Sequence, residues 1–273
     1  MRVCGETKAK IEQRCFSTLF FLLSTSLLLL FLVSHQAKAQ ESQNVIQNSS
    51  SQTVTLAAED SWPPFANQFG QGISHRLIEA AFKQAHIEVN SLVVPYSRAL
   101  MMAEKGAVDG VFNVTREAST EQRFVFGDMP LFVATASFYQ RKQRSLLAEN
   151  KWQIPKGSNV GVIKSYEYGD EFPELVKQRQ LNIVTVATQQ QLINLLLIGR
   201  IDAAVMFDLV AQENLQKMGV SDEVIAAFDN HSSQIYLAFS KENPKAALLA
   251  KALDQGLSML KENGQYQQLL SAN

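Results

Sequence analysis

The sequence has little cysteine, and what it has lies at one end. Both cysteines, Cys4 and Cys15, fall within residues 1–39. There a basic start, the apolar run 15–33 and Ala37-Lys38-Ala39 form the pattern of a secretory signal peptide. The alternative is an uncleaved membrane anchor, because 19 residues approach the roughly 20 that cross a bilayer. We predict cleavage after Ala39, which leaves no thiol and so excludes disulfides, cysteine nucleophiles and cysteine-based metal sites.

The sequence also lacks a large excess of either charge sign, and it has few histidines. Residues 1–39 hold five of the 25 basic and two of the 26 acidic residues, so the remainder carries 20 basic against 24 acidic residues, a net charge of −4. This composition gives no support for binding to nucleic acid or to an anionic membrane. The remaining histidines, His75, His86 and His231, form no ligand-like pair. We therefore expect no metal and no cofactor.

Residues 40–52 are polar and aperiodic, which predicts a short linker. From residue 53 onward, strand-like and helix-like stretches alternate, and this predicts an α/β fold with mostly parallel sheets covered by helices. A loop-rich crossing is predicted near 127–137. The predicted strands are 53–59, 87–96, 108–114, 159–165, 182–188, 201–207 and 234–241. The predicted helices are 72–85, 97–107, a segment within 168–179, 188–200 and, with Asn243 as its cap, 244–264.

A short motif occurs once in each half of the chain. Gly106-Ala-Val-Asp109 and Gly199-Arg-Ile-Asp202 both combine a helix stop, a buried hydrophobic residue and an aspartate before a strand. Chance is the alternative, because glycine between a helix and a strand is common in α/β chains. We expect both aspartates to brace their sheets rather than to contact a ligand.

Several motifs occur together in a recognisable order. They are Trp62-Pro-Pro-Phe65, Tyr96-Ser-Arg-Ala-Leu100, Thr120-Glu-Gln-Arg123, Val160-Gly-Val-Ile163 and Gly199-Arg-Ile-Asp202. With them, the chain resembles the bacterial extracellular solute-binding proteins of family 3, which are the type II periplasmic binding proteins of amino-acid and opine uptake systems. The resemblance covers residues 53–270, and the order and spacing of the motifs carry it.

The resemblance implies a two-lobed α/β fold of the type II periplasmic binding protein class, with mixed sheets and two hinge strands. Lobe 1 would be 53–134 plus 234–273, and lobe 2 would be 136–232. It implies a monomeric, non-enzymatic periplasmic protein that closes on a small polar or anionic, amino-acid-like ligand for an ABC-type permease. Two alternatives remain open: a ligand sensor for a membrane receptor, and an enzyme resembling cyclohexadienyl dehydratase on the same fold.

The resemblance also implies site residues. Trp62 and Tyr96 occupy the places of aromatic residues that sandwich the ligand, and Arg123 that of an arginine that pairs with the ligand's carboxylate. A guanidinium suits a carboxylate because its planar fork donates two parallel hydrogen bonds. Arg116, which follows Thr115 at a strand end, is the alternative clamp. Arg98 is either a second anion contact or a surface charge.

The sequence departs from the family pattern at two places in the second half. After Val160-Gly-Val the family usually has Gly-Ser or Gly-Thr, whereas this chain has Lys164-Ser-Tyr166-Glu-Tyr168. The position of an acidic residue that takes the ligand's ammonium group is Phe207, and Asp208 follows one residue later. We expect Lys164, Tyr166 and Asp208 to face the ligand and Glu167 to face the cleft beside them. The departures make an ordinary α-amino acid a less expected ligand.

Overall fold

A computed structural model describes residues 52–271. The predicted signal peptide, and the predicted linker except for Gln52, lie outside the described residues. Gln52 itself is the first residue of a strand, one position earlier than the sequence predicts.

Strands and helices alternate along the chain because apolar runs of five to eight residues are separated by amphipathic segments that end at glycine or polar residues. The strands are β1 (Gln52–Glu59), β2 (Ser61–Trp62), β3 (Ala66–Asn67), β4 (Ile87–Val94), β5 (Gly110–Thr115), β6 (Phe124–Phe126), β7 (Phe132–Arg141), β8 (Asn159–Ile163), β9 (Asn182–Val186), β10 (Ala203–Phe207) and β11 (Val224–Ser240). The helices are α1 (Ile73–Gln84), α2 (Tyr96–Glu104), α3 (Ala118–Glu121), α4 (Phe172–Arg179), α5 (Gln189–Leu197), α6 (Asp208–Met218), α7 (Ala246–Glu262) and α8 (Gln265–Ser271). Within residues 52–271, no helix has the length and apolarity needed to cross a membrane.

One mixed sheet joins the two halves, with strand order β4-β1-β5-β11-β7-β10-β8-β9 and with β6 also paired to β11. Strands β1, β4 and β5 are parallel in the first half, and β8, β9 and β10 are parallel in the second. Strands β7 and β11 run antiparallel between them, from the pair Phe132–Ile235 to the pair Arg141–Val224. The predicted fold class, α/β with two strands crossing between two halves, is confirmed.

The two aspartates of the repeated motif brace equivalent places in the two halves. The Asp109 carboxylate accepts a hydrogen bond of 2.7 Å from the backbone N–H of Thr55 in β1, and the Asp202 carboxylate accepts one of 2.9 Å from Asn159 in β8. The backbone N–H of each aspartate donates 2.8 Å back to the carbonyl of the same partner. Each aspartate therefore ties the strand that follows it to the first strand of its half, as the sequence predicts.

The sequence prediction fails at the crossing strands. The predicted loop near 127–137 contains the start of β7 at Phe132, and β11 begins at Val224, ten residues before the predicted strand. In the early part of β11, residues 224–228 are apolar and residues 229–234 are polar, and most of both are exposed or half-exposed. This part therefore lacks the apolar alternation of a strand, and its pairing with β7 is what makes it extended. Helix α7 begins at Ala246 with Lys245 at its cap, while Asn243 donates to Asp109 and accepts from the Lys245 N–H.

Helices α1 and α7 pack closely on one side of the first half. A Cβ added to Gly256 in α7 would lie 2.1 Å from the carbonyl oxygen of Ala81 in α1. The absent side chain is thus what lets the two backbones touch. Around this contact, Leu77, Phe82 and Leu253 are buried in the main hydrophobic cluster.

Candidate functional site

A small cavity lies where the carboxyl ends of β1, β5, β8 and β10 meet, which is where ligands of such sheets bind. We call it the central cavity; it has an empty volume of about 180 Å³. It is lined by Glu59, Trp62, Tyr96, Asn113, Thr115, Tyr166, Glu167 and Phe207. Residues from both halves of the chain therefore form one enclosure.

Trp62 is held at the cavity by the turn that follows β2. Its ring packs against Phe65 with centroids 4.6 Å apart and meets Phe207 edge-on at 5.1 Å. The turn closes against Gly72, where φ is 138° and a Cβ would lie 2.2 Å from the Phe65 carbonyl oxygen, so only glycine is compatible with it. The Trp62 indole Nε1 is buried and, within the described part of the chain, has no hydrogen-bond partner.

Asn113 reaches the cavity through an irregularity in β5. The register with β11 shifts between Tyr236 and Leu237, opposite Val114 and Phe112, so that Asn113 has no cross-strand partner, and its φ is +67°. Asparagine tolerates this left-handed conformation better than other residues with side chains, and such bulges re-aim side chains near functional sites. The Asn113 Oδ1 accepts a hydrogen bond from Ser74, which orients the amide and leaves the buried Nδ2 unpartnered.

Two tyrosine–glutamate hydrogen bonds cross the cavity in opposite directions. The Tyr96 hydroxyl donates 2.8 Å to Glu167 Oε2, and the Tyr166 hydroxyl donates to Glu59. Each pair joins one residue from the first half to one from the second. The positive φ of Ser165, +66°, turns the chain after β8 so that Tyr166 and Glu167 face the first half.

Both glutamates are shielded from water, and burial raises the pKa of Glu59 to about 8 and that of Glu167 to about 8. The tyrosine hydrogen bonds oppose this shift but do not overcome it. Burial likewise raises the pKa of Tyr96 and of Tyr166 well above the usual value. At neutral pH, this state of the cavity therefore holds protonated, neutral carboxyl groups.

The two candidate arginines are occupied outside the central cavity. Arg123 is half-buried and hydrogen-bonded through Nε to Glu104, although it is near enough to lower the pKa of Glu167 slightly. Arg116 pairs through Nε with Glu121 at 2.7 Å and donates 3.2 Å to the carbonyl of Gly127. Neither guanidinium lines the central cavity.

Arg116 instead borders a second, more open pocket beside the crossing strands, with an empty volume of about 650 Å³. Lys151 and His231 also line it, next to Glu117 and Glu171. Lys151 donates 2.8 Å to Glu171 and 2.7 Å to the carbonyl of Asn230, so its charge is already matched.

The other sequence candidates separate into two groups. Thr115 is buried and lines both pockets, and Tyr166 lines the central cavity. Arg98 and Lys164 are exposed. Asp208, the first residue of α6, accepts a hydrogen bond of 2.9 Å from the Tyr139 hydroxyl. None of these last three lines the central cavity; at the position next to Asp208 it is Phe207 that does.

Sequence reasoning did not select Glu59 or Asn113 as site residues, whereas it had placed Glu167 at the cleft and Phe207 at the position of the ammonium-binding residue. Glu59 carries a signal that could have found it, because it is a carboxylate that ends an otherwise apolar strand next to the Trp62 turn. Asn113 carries a weaker one, a single amide within the apolar stretch of β5. His75, at the start of α1, is buried, and burial lowers its pKa to about 4.

Two α/β halves joined by crossing strands, with one cavity lined by residues of both halves, are typical of the class of solute-binding proteins. The sequence profile of the bacterial extracellular solute-binding proteins, family 3, matches residues 54–272, and the chain belongs to that family. No curated protein matches the chain in sequence.

Solved structures agree on the fold. A histidine kinase sensor domain with similarity to periplasmic binding proteins superposes with a TM-score of 0.69 at 18% identity, covering 80% of this chain and 93% of that one. An ancestral arginine-binding protein bound to arginine gives 0.68 at 21% identity, covering 80% and 96%. The ancestral amino acid-binding protein AncCDT-1, a precursor of cyclohexadienyl dehydratase, gives 0.64 at 19% identity, covering 80% and 93%.

Proposed function

We propose that the protein captures a small polar solute in the periplasm by closing two lobes on it, and delivers it to an ABC-type permease. Lobe 1 would be 53–134 plus 234–273, and lobe 2 would be 136–232, joined through β7 and β11. A ligand that contacts both lobes favours the closed state because it binds that state better than the open one.

The central cavity carries this proposal. Its lining includes Glu59, Trp62 and Tyr96 from proposed lobe 1 and Tyr166, Glu167 and Phe207 from proposed lobe 2. Within its empty volume of about 180 Å³, only about 10 Å³ is open to the centre of a water molecule, far below the roughly 300 Å³ at which ligand pockets begin. A solute therefore enters an opened form, and the two tyrosine–glutamate bonds are what its own polar groups replace.

The test is calorimetry with a panel of small metabolites, combined with small-angle scattering of the same samples. We expect the bound protein to be more compact than the free protein under conditions where the free protein is open. Binding without any compaction, for every ligand found, would refute closure. Trp62 supplies a local readout once Trp152, the other tryptophan, is replaced in Trp152→Phe; an unchanged Trp62 emission at saturation would place the ligand elsewhere.

A sensing role is the second candidate, and the similarity to a histidine kinase sensor domain favours it. The closed lobes would then be recognised by a membrane receptor rather than a permease. Deleting the gene that encodes the chain distinguishes the two roles. Loss of uptake of the ligand indicates transport, whereas intact uptake with loss of a transcriptional response indicates sensing.

An enzymatic role is the third candidate, and Glu167 favours it, because a buried carboxyl with its pKa raised to about 8 remains protonated at neutral pH and is able to act as a general acid. AncCDT-1, described as a precursor of cyclohexadienyl dehydratase, has a similar fold. Turnover of prephenate-like acids that is lost in Glu167→Gln would support this role, and binding without turnover would dismiss it.

A further inference from the structure

The chemistry of the central cavity is acidic and contains no basic side chain. Its eight lining residues include two glutamates and no lysine, arginine or histidine. We propose that the solute is an organic cation that lacks a carboxylate and carries a neutral hydrogen-bond acceptor. Its cationic group would lie between Glu59 and Glu167, and its acceptor would be bound by Trp62 and Asn113. This ligand class rests on the proposed function and reverses the charge that an arginine clamp would select.

The tyrosine hydroxyls occupy the positions on the glutamates that the cation would take. Tyr166 donates to Glu59 and Tyr96 donates to Glu167, so each carboxyl group already accepts a hydrogen bond from the opposite half. A protonated amine donates a charge-assisted hydrogen bond to a carboxylate, which is roughly twice as strong as a hydrogen bond between two neutral groups, such as a tyrosine hydroxyl and a protonated carboxyl. The exchange of a tyrosine for an ammonium group therefore favours the ligand.

Aromatic rings continue from the glutamates across the cavity. Tyr96 and Tyr166 meet edge-to-face with centroids 5.3 Å apart, Tyr166 lies 6.3 Å from Phe207, and Phe207 lies 5.1 Å from Trp62. Ring faces attract cations through their quadrupoles, and more strongly where water is excluded. Rings and carboxylates thus select the same charge.

The other polar groups of the cavity are neutral donors. Trp62 Nε1 and Asn113 Nδ2 are both buried, and both are without a hydrogen-bond partner within residues 52–271. Buried donors are almost always satisfied, so these two indicate an acceptor that the ligand brings. A carboxylate in that place would add a third acidic group beside the two glutamates, with no arginine in the lining to compensate it, whereas an amide or hydroxyl oxygen adds no charge.

Protonation gives an independent readout. Before the cation binds, burial raises the pKa of Glu59 and Glu167 to about 8, so both carry protons at pH 7 in the closed cavity. A bound cation stabilises the carboxylates and expels those protons. Other charged or titratable groups also shift the pKa of the two glutamates. Proton release must therefore be compared with that of variants that lack one or the other carboxyl group. These groups are Asp60 and Tyr166 at Glu59, and Tyr96, Glu117 and Arg123 at Glu167.

The experiment is calorimetry on the exported chain with three matched pairs: ethanolamine and glycine, L-alaninamide and L-alanine, L-argininamide and L-arginine. We expect at least one of the three cations to bind at least about tenfold more tightly than its carboxylated counterpart. In buffers of different ionisation enthalpy, binding at pH 7 should release protons. Glu59→Gln and Glu167→Gln should each weaken binding by roughly tenfold or more and reduce that release.

Two further variants distinguish binding by the donors Trp62 Nε1 and Asn113 Nδ2 from binding by an arginine clamp. Trp62→Phe keeps an aromatic ring against Phe65 but removes the indole N–H, and it should weaken binding roughly fivefold. Arg123→Ala should change the affinity less than twofold, because its guanidinium is held by Glu104 outside the cavity. Melting temperatures of all variants control for loss of fold.

Three outcomes would overturn the ligand class: tighter binding of a carboxylated counterpart, loss of binding in Arg123→Ala, or no binding by any of the three cations. Small-angle scattering tests lobe closure separately from the ligand class. Under conditions where the free protein is open, an acid that binds with compaction would overturn the ligand class and leave lobe closure standing, whereas a cation that binds without compaction would refute closure itself.

Discussion

At the scale of single residues, Glu59 and Glu167 have the strongest effect on the behaviour of this protein. Each is a carboxyl group inside the fold, with its pKa raised by burial, and each meets a tyrosine from the other half. Together they couple the protonation of the central cavity to its closed state, in which the two halves are in contact.

The stability of the closed state should fall as pH rises. A carboxyl whose pKa is 4.5 when exposed and about 8 when buried contributes fully below pH 4.5, and the contribution is lost as pH rises towards 8. His75 and His231 act in the opposite direction, because burial lowers their pKa to about 4; their contribution is full above pH 6.5 and lost as pH falls towards 4. Above pH 6.5 the histidine effect fades, whereas the effect of Glu59 and Glu167 continues to pH 8, at up to about 1.4 kcal/mol per pH unit for each carboxyl.

Denaturant unfolding at pH 6.5 and pH 8 measures this slope. The double variant Glu59→Gln/Glu167→Gln should lose it, because glutamine has the same shape and does not titrate. Glu79→Gln, at an exposed site in α1, is the matched control and should retain it. A slope that survives in the double variant would assign it to other groups.

Part of the site was predictable from residue types and part was not. Trp62, Tyr96, Thr115 and Tyr166 line the cavity because each sits at or next to a strand end, a position that apolar patterning locates well. The orientation of Asn113 depends on one backbone conformation at a register shift, which no local pattern specifies. The occupancy of Arg123 by Glu104 is a contact between segments 19 residues apart, and the motif alone does not show it.

At the scale of elements, the repeated Gly-x-x-Asp motif shows how local sequence produces tertiary order. In both halves it ends a helix and fastens the next strand to the first strand of that half. Strands with continuous apolar runs were also predicted, because their own residues favour the strand conformation. The half-exposed part of β11 was not, because its strand conformation comes from pairing with β7 rather than from its own residues.

Helix α7 offers a test of close packing. Replacing a mid-helix glycine with alanine ordinarily stabilises a helix by roughly 0.5–1 kcal/mol. In Gly256→Ala the new Cβ would lie 2.1 Å from the Ala81 carbonyl oxygen, so α1 and α7 must separate. We expect a net loss of about 1–3 kcal/mol in the free energy of unfolding.

Urea unfolding checks this value, with Ser258→Ala in the same helix as control. That substitution removes only an exposed hydrogen bond to Glu262 and should change stability by less than about 0.5 kcal/mol. A Gly256→Ala protein as stable as the wild type would show that the two helices adapt without cost.

At the scale of the whole molecule, four side-chain hydrogen bonds within residues 52–271 link the proposed lobes. Besides the two tyrosine–glutamate pairs, Glu117 accepts 3.2 Å from the Gly169 N–H, and Asp170 accepts 3.1 Å from the Ala118 N–H. We call these four bonds the interlobe bonds. Because each of them joins proposed lobe 1 directly to proposed lobe 2, they stabilise the closed form relative to an open one.

The double variant Tyr96→Phe/Tyr166→Phe removes two of the interlobe bonds and keeps both rings. Each lost bond weakens closure by about 1 kcal/mol, or roughly fivefold, so the free protein should become more open. Scattering at pH 6.5 should show a larger radius of gyration than for the wild type. Tyr139→Phe is the control, since its hydroxyl bonds to Asp208 within proposed lobe 2, and an equal expansion there would mean that the interlobe bonds are not responsible.

The position of β11 in the sheet also sets an order for folding. Proposed lobe 2 is one uninterrupted segment, whereas the sheet of the first half places residues 235–240 beside β5 and β6. When the chain is made from its amino end, β5 is able to pair with β1 on one side, but its other edge has no partner until more than a hundred later residues have followed. A product truncated before residue 234 would thus have a bare strand edge in the middle of its sheet, which is the kind of edge that recruits other chains into aggregates.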